Sequence, residues 1–167
     1  RHDASIDPLT GVLNRRDLLA KGGAELERSG RYSHPCTVLM LDIDHFKTIN
    51  DTFGHAEGDV PLQRFAAACE EILRKNDMFG RMGGEEFAIV LPETNAEGGH
   101  QLAERLRARV AEIEIAAETE RRHMTVSIGL AEQASADDNI EVLLSRADRA
   151  LYRAKQAGRN RVVVGTE

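Results

Sequence analysis

Three absences limit what this sequence can encode. No apolar run approaches the ~18 residues that a membrane-spanning helix needs, the best being residues 38–41 and 87–91. The net charge of −6 leaves no broad basic surface of the kind that drives non-specific nucleic-acid binding. The two cysteines, Cys36 and Cys69, form no CxxC pair, and we expect both to be buried, reduced thiols in a cytosolic domain. We therefore expect no direct membrane contact and no nucleic-acid partner.

The composition is that of one ordinary globular domain. Hydrophobic residues make up 41% and charged residues 30% of the 167 residues, which is enough to bury a core and too apolar for wholesale disorder. No internal repeat or low-complexity tract is present. Because the chain starts at Arg1 without a signal peptide, we expect a segment of a longer protein. Residues 1–6 are then the end of an upstream linker, and residues 7–167 form a single domain.

Hydrophobic periodicity predicts a β-α-β-β-α-β order, the split βαβ arrangement. Both faces of the first strand are apolar, which is typical of a central strand. The predicted elements are, in chain order, a strand over residues 37–44, a helix that starts at Asp59, two strands over 78–82 and 87–91, a helix capped by Thr94 and Glu97, a strand over 124–130, a helix over 140–154 and a short strand over 162–164.

This order brings several carboxylates to one edge of the sheet. The crossover helix makes the first two strands parallel, and the third strand returns antiparallel between them. The hairpin turn over residues 83–86 therefore lies beside the end of the first strand. Asp42 and Asp44 end that strand, and Glu85 and Glu86 lie in the turn. We expect these four carboxylates to converge.

Converging carboxylates repel one another unless a cation lies among them. Oxygen ligands with few histidines or cysteines nearby favour Mg²⁺ or Mn²⁺ over Zn²⁺. Mg²⁺ is usually held by one or two carboxylates together with substrate phosphates, so the cluster points to nucleotide chemistry. From the pattern alone, a solvated acidic turn is an equally good interpretation.

Several motifs resemble those of the GGDEF family, the diguanylate cyclases. The match runs from Asp7 to Val163. It implies an α/β (α+β) fold of the palm-like split βαβ type, which is related to ferredoxin-like and nucleotide-cyclase domains. In this fold a mostly antiparallel sheet is flanked by helices. The matching motifs are DPLTGVLNR at 7–15, DIDHFK at 42–47, IND at 49–51, FGH at 53–55 with Gly58 and Asp59, the signature GGEEF at 83–87, SIG at 127–129, AK at 154–155 and GRN at 158–160.

The resemblance implies a metal-dependent reaction that joins two GTP into cyclic di-GMP and releases two pyrophosphates. Each domain of a homodimer is expected to hold one GTP. By resemblance, Asp42, the Ile43 carbonyl and Glu85 bind two Mg²⁺ (or Mn²⁺) ions per active site. One ion would lower the pKa of the attacking 3′-hydroxyl while the other neutralises the triphosphate. Glu85 is a further candidate for the general base.

The resemblance also implies a set of substrate-binding residues. A carboxylate can accept from N1–H and the amino group of guanine together, which adenine does not offer, so Asp59 would select GTP. The alternative is that Asp59 only caps a helix. The full set is Asn50 and Asp59 at guanine, His45, Phe46 and Lys47 at the phosphates through backbone N–H groups that open a short helix, Gly83, Gly84 and Glu86 in the turn, and Lys155 and Arg159 at the phosphates.

Arg74 and Asp77 fit RxxD, which in this family is the product-inhibition site. Arginine can form a bidentate contact with guanine, and a nearby aspartate can accept from its opposite edge. Arg81 is a candidate for a further contact with cyclic di-GMP as inhibitor. The alternative for Arg74 and Asp77 is an ion pair at the end of a helix.

Three functions remain open at this point. The first is an active diguanylate cyclase that is controlled by an upstream sensor or regulatory domain. We expect this domain to be cytoplasmic, and an upstream region could anchor the full protein at a membrane. The second is a catalytically silent domain that binds cyclic di-GMP or GTP as a receptor module. A template-using polymerase palm is disfavoured, because the sequence has no fingers-like insertion and no basic template channel.

Overall fold

The computed structural model describes residues 5–53, 55–117 and 120–166, without the side chains of residues 53–59 and 116–120. The elements within these residues are α1 (Arg15–Tyr32), β1 (Cys36–Ile43), α2 (Phe46–Phe53), α3 (His55–Ile72), β2 (Met78–Gly83), β3 (Glu86–Pro92), α4 (Ala96–Val110), β4 (Glu114–Ala117), β5 (Glu120–His123), β6 (Val126–Glu132), α5 (Ile140–Gln156) and β7 (Val162–Val164).

The main sheet has the strand order β2-β3-β1-β6-β7, and β4 and β5 form a separate hairpin. Strand β1 is buried along its whole length and pairs antiparallel with both β3 and β6, while β6 and β7 are parallel. Because β2 is also antiparallel to β3, strands β1 and β2 run parallel with β3 between them. The predicted split βαβ order and the mostly antiparallel sheet are confirmed.

Helices cover both faces of the sheet. The alternation of β1 directs Leu39 and Leu41 toward one core, which α2, α3 and α4 complete, and Val38 and Met40 toward another, which α1 and α5 complete. The first core contains a stack of three phenylalanine rings, with the Phe65 and Phe87 centroids 4.8 Å apart. The carboxyl end of β1 is thus fixed from both faces.

Two local predictions were wrong, and some elements were not predicted. Helix α3 begins at His55, so residues 55–58 are helical and Pro61 lies inside the helix, where it has no N–H to donate. The N-cap of α4 is Asn95, whose side chain accepts from Gly98 N at 2.9 Å. The hydroxyl of Thr94 instead donates to the carbonyl of Pro92, so no capping box forms. Helix α1 and the paired strands β4 and β5 were not predicted.

Both cysteines are free and buried, as predicted, and burial raises the pKa of the Cys36 thiol to about 12. Across the described ranges, no helix has the length and hydrophobicity to cross a membrane.

Candidate active site

The hairpin turn between β2 and β3 lies against the end of β1. Asp42 is directly opposite Glu86 in the β1–β3 register, and Ile43 N donates to the backbone carbonyl of Glu85 at 3.3 Å. The turn is possible because Gly84 has a φ of +50°, a conformation that glycine adopts without steric cost. A Cβ added to Gly84 would have no neighbour within 4 Å, so the surface above the turn is open to a ligand.

Asp42 is a buried carboxylate with a cationic partner. It is 5% exposed, and Lys155 Nζ donates to its Oδ2 at 2.5 Å. The pKa of Asp42 is raised to about 6: burial is the main cause, Lys155 opposes it, and the negative charges of Glu85 and Glu86 add to it. A carboxylate in this environment is stabilised by any additional positive charge beside it.

The donor set at this edge suits Mg²⁺ or Mn²⁺. Asp42 and Glu85 provide carboxylate oxygens and Ile43 a backbone carbonyl, all of which are hard ligands. In the part of the chain that the structure describes, no group of three or more Asp, Glu, His or Cys side chains is arranged to hold a metal ion. Two carboxylates leave coordination positions for substrate phosphates, which is how Mg²⁺ is commonly bound.

The Asp44 carboxylate has internal hydrogen-bond partners, which the sequence did not predict. Its Oδ1 accepts from the Ser127 hydroxyl at 2.7 Å, and its Oδ2 accepts from the Thr125 hydroxyl at 2.8 Å and from Asn160 N at 3.0 Å. Asp44 is 5% exposed. The carboxylate is therefore used internally, to join β1 to β6 and to the segment after α5.

The residues assigned to the phosphates lie around the same end of β1. His45 has a φ of +55°, and Phe46 begins α2, so its N-terminal backbone N–H groups follow directly from the carboxylate strand. Lys47 is an exposed side chain that pairs with Asp51 at 3.4 Å. Arg159 is exposed and has a φ of +65° just beyond the end of α5.

The two guanine-binding candidates lie on different helices. Asn50 lies on α2 and is half-buried. Asp59 lies on α3, but its side chain falls outside the described residues. Its predicted role rests on the resemblance alone.

Arg74 and Asp77 form a well-defined pair after α3. The guanidinium Nε and Nη2 donate to the two oxygens of Asp77 at 3.3 and 3.2 Å, and Nη2 also donates to the Thr94 hydroxyl at 2.6 Å. The Asp77 side chain is only 1% exposed, whereas that of Arg74 is 58% exposed. Arg74 therefore has a fixed orientation and a face open to a ligand.

A cavity of about 390 Å³ beside this pair is lined by Arg74, Arg105, Gln101 and Asn95. The sequence prediction missed Arg105, because no spacing links it to Arg74 before α4 is folded against the sheet. Glu93 also lines the cavity, and its carboxylate pairs with Arg28 and His34. The two guanidinium groups and the amide side chains suit an anionic ligand that carries hydrogen-bonding bases.

Arg81 is not part of this cluster. Its Nε donates to the Gly84 carbonyl at 2.9 Å, and its Nη1 lies 3.4 Å from the Asp7 carboxylate. Arg81 is near the turn end of β2, whereas Asp77 precedes the other end. The structure thus places Arg81 at the hairpin turn rather than beside Arg74.

Several known proteins with similar sequences are diguanylate cyclases. The family model described as diguanylate cyclase, GGDEF domain, matches residues 4–161. Diguanylate cyclase DgcP of Pseudomonas aeruginosa is 43% identical over 164 residues, covering 98% of this chain and 24% of that protein. The chain spans 24% to 50% of the length of the curated relatives it matches.

Two solved structures are similar over nearly the whole chain. The GGDEF domain of DgcB from Caulobacter crescentus in complex with c-di-GMP has a TM-score of 0.94 and 32% identity, covering 100% of this chain and 96% of that one. The active GGEEF domain of a diguanylate cyclase from Vibrio cholerae has a TM-score of 0.86 and 38% identity, covering 92% of this chain and 97% of that one.

Proposed function

Because this chain belongs to the GGDEF family, we propose that it condenses two GTP into cyclic di-GMP with release of two pyrophosphates. The observation that carries the proposal is the edge at which buried Asp42 lies beside the open Gly84 turn that presents Glu85. This edge combines carboxylates for a cation with free surface for a nucleotide.

Asp42, the Ile43 carbonyl and Glu85 would hold two Mg²⁺ or Mn²⁺ ions, which when bound would lower the pKa of the attacking 3′-hydroxyl and neutralise the triphosphate. Lys155 would exchange its contact with Asp42 for a phosphate oxygen, which leaves the carboxylate available. The test is turnover of GTP with Mg²⁺ and with excess EDTA. Product formation that persists in EDTA would contradict the role assigned to Asp42 and Glu85.

Substitution of Asp59 by alanine should weaken GTP binding and reduce the preference for GTP over ATP. Losing a charged acceptor for the guanine donors typically costs about 1.5–3 kcal/mol. Titration of both nucleotides into both proteins measures the effect. An equal loss for GTP and ATP, or a lower melting temperature with selectivity unchanged, would support a purely structural role for Asp59 within α3 instead.

Specific activity should fall as the protein is diluted, because each chain has one Asp42–Glu85 edge and the product joins two guanylates. We propose that two copies of this domain bring their bound GTP molecules together as a homodimer. Activity measured across a dilution series, with the oligomeric state followed by sedimentation, tests this. Constant specific activity well below the dimer dissociation constant would exclude catalysis across a dimer.

Product inhibition is the regulatory part of the proposal. Cyclic di-GMP would bind the exposed face of Arg74 and the cavity it shares with Arg105, at the end of β2 away from the hairpin turn. Two separate sites make such inhibition allosteric, with a typical coupling free energy of about 1–3 kcal/mol. The proposed cyclase would be controlled by an upstream domain as well as by its product.

Substitution of Arg74 by alanine should relieve inhibition by cyclic di-GMP and leave the uninhibited rate unchanged. One bidentate arginine–guanine contact is worth about 1–3 kcal/mol, so the inhibition constant should rise roughly tenfold or more. Lys75→Ala is the matched control, since it removes the same charge one residue away. Coincident inhibition curves for wild type and Arg74→Ala would reject the inhibitory site, and a variant inactive without product would mean that the Arg74–Asp77 pair is structural.

A further inference from the structure

The segment that follows α5 has an unusual backbone. Gly158, Arg159 and Asn160 have φ values of +125°, +65° and +48° in succession, and two of the three are not glycine. Residues with side chains rarely adopt this conformation unless surrounding contacts impose it. The segment carries Arg159, so its conformation determines where the Arg159 side chain points.

Contacts from two different elements hold this conformation. Asn160 N donates to Asp44 Oδ2 at 3.0 Å, and Asn160 Oδ1 accepts from Arg107 Nη1 on α4 at 3.0 Å. The other end of the turn is closed by Arg159 N, which donates to the carbonyl of Ala154. Asp44 is thus the buried acceptor that ties the turn to the carboxyl end of β1.

Asp44 is itself firmly oriented. Hydroxyl groups of Thr125 and Ser127 donate to its two oxygens, and its backbone N donates to the carbonyl of Thr125 at 2.9 Å. Together with Asn160 N, these donors occupy both oxygens of the Asp44 carboxylate. A buried carboxylate with three donors is poorly suited to serve as a ligand for a metal ion as well.

We infer that Asp44 is a positioning residue that, through the backbone of Asn160, directs Arg159 toward the phosphates of the bound nucleotide. The inference rests on the proposed GTP-binding function and deepens it. Asp42 and Asp44 thereby have different tasks: Asp42 faces the cation and the substrate, and Asp44 fixes the basic segment that completes the site.

The experiment measures binding of guanosine 5′-(α,β-methylene)triphosphate, a GTP analogue that cannot be cyclised, in the presence of Mg²⁺. We expect Arg159→Ala and Asp44→Ala each to weaken binding by about tenfold, and the double variant to lose no more than about twofold further, because both remove the same phosphate contact. Additive losses in the double variant would overturn the inference.

Conservative variants separate positioning from metal ligation. Asp44→Asn keeps an oxygen for Asn160 N, while the Ser127 hydroxyl can accept instead of donate, so binding should stay within about threefold of wild type. Asp42→Asn should lose much more of the affinity for the triphosphate analogue. If Asp44→Asn bound the analogue as weakly as Asp42→Asn, Asp44 would be a metal ligand and the inference would be overturned.

Thr125→Val is the control for general destabilisation, since it removes another hydrogen bond to the same carboxylate and leaves that of Asn160 in place. It should lower the melting temperature without changing the affinity, and a tenfold loss of affinity would overturn the inference.

Hydrogen exchange on wild type tests the contact without any variant. The Asn160 amide should exchange at least about tenfold more slowly than in an unstructured peptide, and unprotected exchange would overturn the inference.

Failure of the proposed function would look different. In that case wild type itself would not bind the triphosphate analogue. If wild type binds and only the coupling between Asp44 and Arg159 is missing, the positioning inference alone fails.

Discussion

Replacement of Glu85 by glutamine should reduce cyclic di-GMP formation by at least about a hundredfold and leave the fold intact. A neutral amide is a poor ligand for Mg²⁺ and cannot accept a proton from the attacking hydroxyl, and general-base contributions alone are typically about 10²–10⁴-fold. The turn should survive, because its contacts use backbone groups: Ile43 N donates to the Glu85 carbonyl and Arg81 to the Gly84 carbonyl.

The measurement is the rate of product formation at saturating GTP and Mg²⁺, with the melting temperature as the test of folding. Glu27→Gln is the matched control, because its side chain is 79% exposed on α1, on an element that contributes nothing to the proposed active site. Turnover of Glu85→Gln near the wild-type rate would mean that Glu85 is neither a metal ligand nor a base.

Replacement of Gly129 by alanine should unfold the domain or destabilise it by about 3 kcal/mol or more. A Cβ at Gly129 would lie 2.1 Å from the carbonyl oxygen of Ala147 and 2.3 Å from the backbone N of Leu151. Both atoms belong to the backbone of α5, which cannot move aside as a flexible side chain could. Gly129 therefore permits the close approach of α5 to β6.

Gly23→Ala is the control for this prediction. Gly23 lies inside α1, and its added Cβ would meet Ile140 Cγ2 at an ordinary 3.6 Å. Alanine within a helix is favoured over glycine by about 0.5–1 kcal/mol, so this variant should be as stable as wild type or more so. Urea unfolding of both variants gives the comparison. A Gly129→Ala protein as stable as wild type would contradict the packing of α5 on the sheet.

The sequence predicted the central sheet because its strands carry clear alternation. Leu39 and Leu41 pack into one core and Val38 and Met40 into the other. Helix α1 was missed because small and polar residues interrupt its buried stripe. Gly22 is buried in this stripe and packs so closely against β3 that an added Cβ would lie only 3.0 Å from Val90 Cγ2. Periodicity detects apolar stripes and does not detect close approaches of this kind.

The carboxylate edge was predictable in outline and not in detail. The topology and the resemblance together indicated that Asp42 and the turn carrying Glu85 would meet. Asp44 was assigned to the same cluster, since nothing near it in the sequence distinguishes it from Asp42. Its donors Thr125 and Ser127 are more than 80 positions away, with separations of 81 and 83. Their contacts become visible only after β6 is paired with β1.

The most direct test of the central claim is to incubate the chain with GTP and Mg²⁺ and to quantify the products by mass spectrometry. The account predicts one cyclic di-GMP and two pyrophosphates for every two GTP consumed. If the protein binds cyclic di-GMP or GTP and leaves GTP unconverted at concentrations where it is dimeric, then it is a receptor module and the proposed catalysis is wrong.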